Sequence, residues 1–246
     1  MKILYFTGTG NSLYIAKKIG EQFNAELLSI PKLLNNEIFL IEDDVVGIVY
    51  PVYCLNLPNM LKEYLKKTQI KANYVFAISN CGMFSFSTND ALDAFIKVNY
   101  KKNLIMPDNF IYFDMKKSIS KSIPDKKVID EIANDIKNKV IQNKSNNVKR
   151  TTAKIIAKFT TFDFQKAVEL FSISKECNNC GICAKVCVAN NIEANNKVKF
   201  LNKCEQCMAC IQNCPQKAIG HKKEKSSYRY RNNFIELKEI IQANDY

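Results

Sequence analysis

Residues 2–13 read Lys-Ile-Leu-Tyr-Phe-Thr-Gly-Thr-Gly-Asn-Ser-Leu. The apolar run Ile3–Phe6 empties into Thr7-Gly8-Thr9-Gly10-Asn11-Ser12, two glycines and three hydroxyls where a strand would hand over to a helix. Ser12 is placed to cap that helix, and Leu13, Ala16, Ile19 and Phe23 recur along it at helical spacing. The backbone N–H groups of residues 8–12 at a helix N-terminus, with the hydroxyls of Thr7, Thr9 and Ser12, suit a lone phosphate. A Walker loop would end in Gly-Lys-Ser/Thr, and Gly10-Asn11-Ser12 lacks the lysine. A dinucleotide fingerprint would carry a third glycine at position 13, which is leucine. The plain structural alternative is a tight turn closed by a capping serine.

Outward from this loop, residues 1–113 alternate between apolar runs and helix-like patterns. Glu26–Ile30 is expected as a second strand, Val45–Val49 as a third, Tyr74–Ile78 as a fourth and Asn109–Phe113 as a fifth. Helices are expected from Pro58, with Met60, Leu61, Tyr64 and Leu65 on one side, and from Thr88 through Leu92, Phe95 and Ile96. Such a βαβ series implies parallel pairing with right-handed crossovers. Asp125 to about Ile141 reads as a further helix, burying Val128, Ile129, Ile132 and Ile136. An apolar stretch from Ile155 to Phe171 reads as a packed connector, with a cofactor-shielding face as the sharper alternative. Phe234, Leu237 and Ile241 are spaced as one face of a last short helix.

The hydroxyl–glycine loop directly after the first strand resembles the phosphate loop of the flavodoxins. That resemblance implies a doubly wound parallel sheet of order 2-1-3-4-5. It carries Thr7, Thr9, Gly10, Asn11 and Ser12 over as the site for the FMN phosphate. It also implies that the isoalloxazine ring lies between the loops after strands three and four, Tyr50–Asn56 and Ser79–Phe84. There Pro51, Val52 and Tyr53 would present backbone and an aromatic edge, and Asn80, Gly82 and Met83 would approach by backbone. Tyr53 as a core residue, and Phe84 or Phe86 as loop packing, are the structural alternatives. Cys54 and Cys81 lie in these loops, where buried cysteines commonly serve as small hydrophobes.

Ten cysteines are unusual, and eight of them fall within 177–214. Cys177, Cys180, Cys183 and Cys187 recur as Cys204, Cys207, Cys210 and Cys214, each twenty-seven positions later, and Ile192 maps onto Ile219. A Cys-x2-Cys-x2-Cys-x3-Cys spacing, twice over, is that of 4Fe-4S ligands in which the fourth cysteine crosses to the other cluster. The expectation is one cluster on Cys177, Cys180, Cys183 and Cys214, and a second on Cys204, Cys207, Cys210 and Cys187. Structural zinc and a disulfide framework are the weaker readings. Residues 175–220 resemble the bacterial two-cluster ferredoxins, with one departure: Cys214 is followed by Pro215 as in that family, whereas Cys187 is followed by Val188. The lone His221 reads as a surface residue.

The chain has 246 residues, 47% of them hydrophobic, enough for a substantial core. No run approaches the roughly 18 apolar residues of a membrane span. The start, MKILYF, lacks a proper signal-peptide pattern, so the expected location is cytoplasmic. The formal charge is +12, yet the lysines are scattered and arginines scarce, which disfavours nucleic-acid recognition and makes an acidic redox protein a natural partner.

The expected organisation is a flavodoxin-like FMN domain at 1–145, a connector at 146–174, a small α+β two-cluster ferredoxin-like domain at 175–220 and an extension at 221–246. Together the resemblances imply an electron-transfer protein passing electrons among FMN, two 4Fe-4S clusters and a redox partner. An FMN-dependent reductase of a small electrophile is the main alternative. The third reading is an FMN-free iron–sulfur interaction or sensor protein.

Overall fold

The computed structural model describes residues 1–83, 88–112, 123–142 and 166–244. Five parallel strands form the central sheet: β1 (Lys2–Tyr5), β2 (Glu26–Ser29), β3 (Val45–Pro51), β4 (Tyr74–Cys81) and β5 (Tyr100–Ile105). Their spatial order is 2-1-3-4-5, the flavodoxin-like doubly wound arrangement. The segments Val45–Val49 of β3 and Tyr74–Ile78 of β4 carry no polar or charged side chain apart from the Tyr74 hydroxyl, because helices cover both of their faces, and Val46, Ile48, Val49, Phe76, Ala77 and Ile78 are fully buried.

Helix α1 (Asn11–Phe23) follows β1, with Ile15, Ala16 and Ile19 on its buried side. The helix does not start where the sequence suggests. Gly10, at φ 99°, is the N-cap residue, and Ser12 is the second residue of the helix, its side chain turned to Asn80 instead of capping. The short α2 (Ile30–Asn35) has Pro31 in its first turn. Pro58 opens α3 (Asn59–Lys67), which buries Met60, Leu61, Tyr64 and Leu65 as expected. A brief α4 (Thr88–Ala91) and α5 (Lys126–Lys137) complete this half. Asp125 caps α5 by accepting the Val128 N–H at 3.0 Å.

The fifth strand is Tyr100–Ile105, not Asn109–Phe113. It lies at the sheet edge, where lysines are tolerated on the solvent side. Lys101 reaches Asp90 and Asp93 across this edge, at 3.2 and 2.6 Å. Phe113 and most of the 146–174 connector, including Ile155 to Phe164, lie outside the described residues, as do Phe84 and Phe86.

The twenty-seven-residue repeat has a structural counterpart. The one-turn helices α6 (Ile182–Lys185) and α7 (Ala209–Gln212) recur at that offset, each led by a residue in the left-handed region, Gly181 at φ 75° and Met208 at φ 59°. The Asn191 N–H points at the Cys187 sulfur (3.2 Å) and, by the same offset, the Ala218 N–H points at the Cys214 sulfur (3.3 Å).

The expected iron–sulfur domain is corrected at two points. First, among the described residues no group of three or more His, Cys, Asp or Glu side chains is arranged to hold a metal ion. The assignment of Cys177, Cys180, Cys183, Cys187, Cys204, Cys207, Cys210 and Cys214 to two 4Fe-4S clusters is therefore not supported, nor is an electron relay through them. For four of the eight, the surroundings supply a physical reason. Burial, with smaller contributions from neighbouring sulfurs, pushes the Cys183 and Cys204 thiols to about 11 and those of Cys207 and Cys210 well above their ordinary value. A thiol held neutral in this way packs as a small hydrophobe. Cys183 and Cys187 share a cluster with Ile111, Ile192, Val198, Met208, Ile211 and Ile219.

Second, among the described residues no separate ferredoxin-like subdomain stands apart from the sheet. Val186, Val188, Cys207 and Ala209 belong to the same hydrophobic core as β1, β3 and β4.

His221 is not a surface residue. It is 5% exposed, flanked by Phe171 edge-on at 5.1 Å and by the Tyr112 hydroxyl 3.3 Å from its Nε2. Its Nδ1 accepts the Lys223 N–H at 3.1 Å, so the neutral ring carries its proton on Nε2. Burial, then the charge of Lys223, lowers its pKa below the usual histidine value, against a smaller opposing effect of Glu224. The unfolded chain therefore takes up a proton first as pH falls below about 6.5, and the folded state loses stability from there downward. Glu205, pushed up to about 7 chiefly by burial, acts in the opposite sense over the same range. We therefore expect His221→Gln to gain stability relative to wild type as pH falls from 6.5 to 5, by at most about 1.4 kcal/mol per pH unit, the value for one proton, in denaturant melts at each pH; a constant difference would assign the pH dependence to other groups.

The last helix, α8 (Leu237–Asn244), buries Ile240, Ala243 and Asn244. Phe234 lies before it and is exposed, its ring 5.4 Å from that of Tyr14. Among the described residues, no helix is long and apolar enough to cross a membrane.

Candidate functional site

A cavity of about 320 Å³ opens at the carboxyl ends of the sheet strands, within the size range of small-ligand sites. Of the residues singled out from the sequence, Thr7, Thr9, Asn11, Ser12, Pro51, Val52, Tyr53, Asn80, Gly82 and Met83 all line it. Gly10 does not. It turns away from the cavity, and a Cβ there would lie 3.1 Å from Asn232 and from Ile235.

One end of the cavity is the β1–α1 loop. The first turn of α1 leaves the N–H groups of Asn11, Ser12 and Leu13 without intrahelical acceptors, and no acidic residue sits in that turn to offset the positive end of the helix dipole. Each of the three hydroxyls already accepts one protein hydrogen bond. Thr7 Oγ1 accepts the Gly10 N–H at 3.0 Å, Thr9 Oγ1 accepts Asn109 Nδ2 at 3.1 Å, and Ser12 Oγ accepts Asn80 Nδ2 at 2.8 Å. A hydroxyl whose oxygen is engaged this way has its proton left to give. All three are buried at the cavity wall, so three O–H donors converge beside a helix N-terminus.

Asn11 lines the same end of the cavity. Its side chain is tied into the protein: Nδ2 donates to the Pro107 carbonyl at 2.9 Å, and Oδ1 accepts the Tyr230 hydroxyl at 2.6 Å and Asn232 Nδ2 at 3.1 Å. Further bonds hold the loop from behind. The Asn232 N–H donates to the Thr9 carbonyl at 2.9 Å, and Asn244 Nδ2 to the Thr7 carbonyl at 3.2 Å. These tail residues carry no local motif that sequence reading could have found.

The other end is framed by the loops after β3 and β4. Tyr53 and Asn56 close a tight turn by exchanging backbone hydrogen bonds at 3.0 and 2.9 Å. Cys54 and Leu55, its two central residues, stand at φ 48° and 62°, a left-handed pair that normally selects glycine or asparagine. Strained backbone of this kind concentrates at functional loops. The Tyr53 ring packs edge-on against Phe6 with centroids 6.0 Å apart, and burial of its hydroxyl pushes its pKa well above the ordinary value. Gly82 is required by close approach, since a Cβ there would lie 2.3–2.6 Å from the Asp108 side chain. Met83 is 56% exposed at the rim.

The sequence reading missed one whole wall. Pro107, Asp108, Asn109 and Phe110 line the cavity as the loop after β5, and Gln206 lines it from the cysteine repeat. Asn109 Nδ2 bridges this wall to the Cys207 carbonyl at 3.2 Å as well as to Thr9. A Cβ on Gly8 would meet that same carbonyl at 3.0 Å, so the phosphate-type loop and the cysteine repeat touch directly.

No family model matches the chain, and no curated protein matches it. Partial likenesses occur among solved structures. A putative flavoprotein from Bacteroides uniformis is 13% identical over 48% of this chain and 93% of its own, with a TM-score of 0.34. An FMN-dependent NADH-azoreductase from Bacillus anthracis, solved with FMN, is 12% identical over 55% and 99%, with a TM-score of 0.34. An NAD(P)H:quinone oxidoreductase from Methanothermobacter marburgensis is 10% identical over 55% and 94%, with a TM-score of 0.33.

Proposed function

We propose that this chain binds FMN in the strand-end cavity and works as an FMN-dependent reductase of a small electrophile. The observation that carries the reading is the convergence of the Thr7, Thr9 and Ser12 hydroxyls, each with its oxygen engaged and its proton free to donate, on a helix N-terminus. A phosphate monoester fits that donor set, and among the described residues no cation lines the cavity to hold it by charge instead. Bound flavin would accept two electrons from a donor and pass them to a two-electron acceptor such as a quinone, which takes up two protons on reduction.

The chain's own residues bind and orient. The hydroxyl trio and the first turn of α1 fix the phosphate. The turn at Tyr53–Asn56, Asn80 and Gly82 bound the ring end, and Phe110 adds an aromatic wall. The exposed Met83 leaves the rim open to an acceptor. An acidic redox protein as the electron source, supported by the +12 charge, belongs to the same reading, as does a cytoplasmic location.

Titration of apo-protein with FMN should show stoichiometric quenching of flavin fluorescence. Thr7→Val and Ser12→Ala should each raise the FMN Kd about 10- to 100-fold, the worth of a hydrogen bond to a charged group. Riboflavin, which lacks the phosphate, should be indifferent to both changes. Failure of the wild-type chain to bind FMN would end this reading. Failure of benzoquinone to reoxidise the chemically reduced, FMN-loaded chain would end the reductase part of it.

A further inference from the structure

Gln206 is 8% exposed and lines the cavity, yet its Nε2 has no hydrogen-bond partner. An unpaired buried amide N–H costs about 1–3 kcal/mol, so a site that keeps one invites an acceptor from outside the chain. The backbone reinforces the point. Gln206 stands at φ 50°, in the left-handed region that glycine would occupy at no cost. A long polar side chain is held there against its backbone preference.

Both neighbours are pinned, which fixes the direction of the side chain. The Glu205 carboxylate accepts the Asn59 N–H at 3.1 Å at the start of α3, and the Cys207 carbonyl accepts Asn109 Nδ2 at 3.2 Å. The Gln206 N–H itself points at the Cys204 sulfur at 3.3 Å. The segment therefore spans from the loop after β3 to the loop after β5, with the amide of Gln206 presented to the cavity between them.

We propose that Gln206 donates from Nε2 to an acceptor atom on the isoalloxazine ring, a carbonyl oxygen or a ring nitrogen, and so tunes the flavin as well as holding it. This rests on the FMN reading above. The phosphate end already has three hydroxyls and the first turn of α1. At the ring end Pro51, Val52, Met83 and Phe110 bring no side-chain donor, and Asn80 Nδ2 already donates to Ser12 Oγ and the Tyr50 carbonyl; Gln206 Nε2 joins the Tyr53 hydroxyl as a donor there. A donor facing the ring favours the reduced, more electron-rich form. Removing it lowers affinity for both forms, and for reduced flavin more.

The test uses the full chain, with FMN affinity and two-electron midpoint potential measured on wild type, Gln206→Leu and the isosteric Gln206→Glu. For Gln206→Leu we expect an FMN Kd about tenfold higher. We also expect about a tenfold greater loss for reduced than for oxidised flavin, equivalent to a potential about 30 mV lower. Gln206→Glu, which keeps the shape but not the donor, should lower the potential in the same direction and serves if the leucine variant does not fold. If wild type binds no FMN, this inference falls with the reading it rests on. If wild type binds FMN and both variants keep its affinity and potential, only the role of Gln206 falls. Weaker binding at an unchanged potential would likewise overturn the ring assignment.

Discussion

Gly47→Ala is expected to destabilise the chain by at least about 3 kcal/mol, above the usual 1–3 kcal/mol of an overpacked core. Gly47 sits mid-strand in β3, flanked by Ile3 of β1 and by Phe76 of β4. The Phe76 ring lies directly over it. An alanine Cβ would come within 2.2 Å of the ring Cζ and 2.6–2.8 Å of both Cε atoms. Phe76 is fully buried and has nowhere to swing, so either the ring leaves its rotamer or β3 and β4 part. For a chain of this size the loss is roughly 6–12 °C in melting temperature. Phe76→Leu removes the clashing ring carbons and leaves a cavity of its own. The double variant should therefore be clearly more stable than the sum of the two single losses, a coupling read from a thermal or urea double-mutant cycle. Simple additivity would show that the ring is not what excludes the methyl group.

Asn11→Ala is expected to cost about 3–5 kcal/mol and to weaken FMN binding at least tenfold. The substitution orphans three buried groups at once: the Tyr230 hydroxyl, Asn232 Nδ2 and the Pro107 carbonyl. Each unsatisfied group carries a penalty of roughly 1–3 kcal/mol. Tyr230→Phe removes one of the three bonds and should cost only about 1 kcal/mol, and almost nothing when Asn11 is already alanine. The effect on the flavin follows because Asn11 ties the β1–α1 loop to the wall after β5. Denaturant melts of the four variants, with FMN titrations beside them, check both parts. An Asn11→Ala protein of wild-type stability would show that the three groups find other partners.

Where the sequence was legible, short-range physics decides the structure. The run Val45–Val49 is covered on both faces and so is apolar throughout, and the hydroxyl–glycine loop declares its geometry in six consecutive residues. The edge strand was misplaced for a related reason. Counting apolar residues favours Phe110-Ile111-Tyr112 over Tyr100–Ile105, whose lysines belong to a strand with one open side. Phe110 and Asn109 instead wall the cavity.

The cysteine spacing marked a true internal repeat, visible in α6 and α7, but spacing alone did not establish a metal-binding arrangement of the side chains. Gln206, Tyr230, Asn232 and Asn244 were illegible because their roles depend on loops far away in sequence, and no local pattern encodes such a meeting. His221 was misread because its shelter comes from Tyr112 and Phe171, at a distance from it along the chain.

The bond from Asn244 to the Thr7 carbonyl joins residues 237 positions apart. During translation, the loop that emerges first is thus fastened by a side chain that emerges much later. At 5–20 residues per second, about 10–50 s separate the synthesis of the two. A nascent chain in that interval has its strand and its hydroxyls but lacks the tail that braces them. On the FMN reading, cofactor capture would wait for synthesis through Asn244, and a ribosome stalled before Tyr230 would carry a sheet unable to retain FMN.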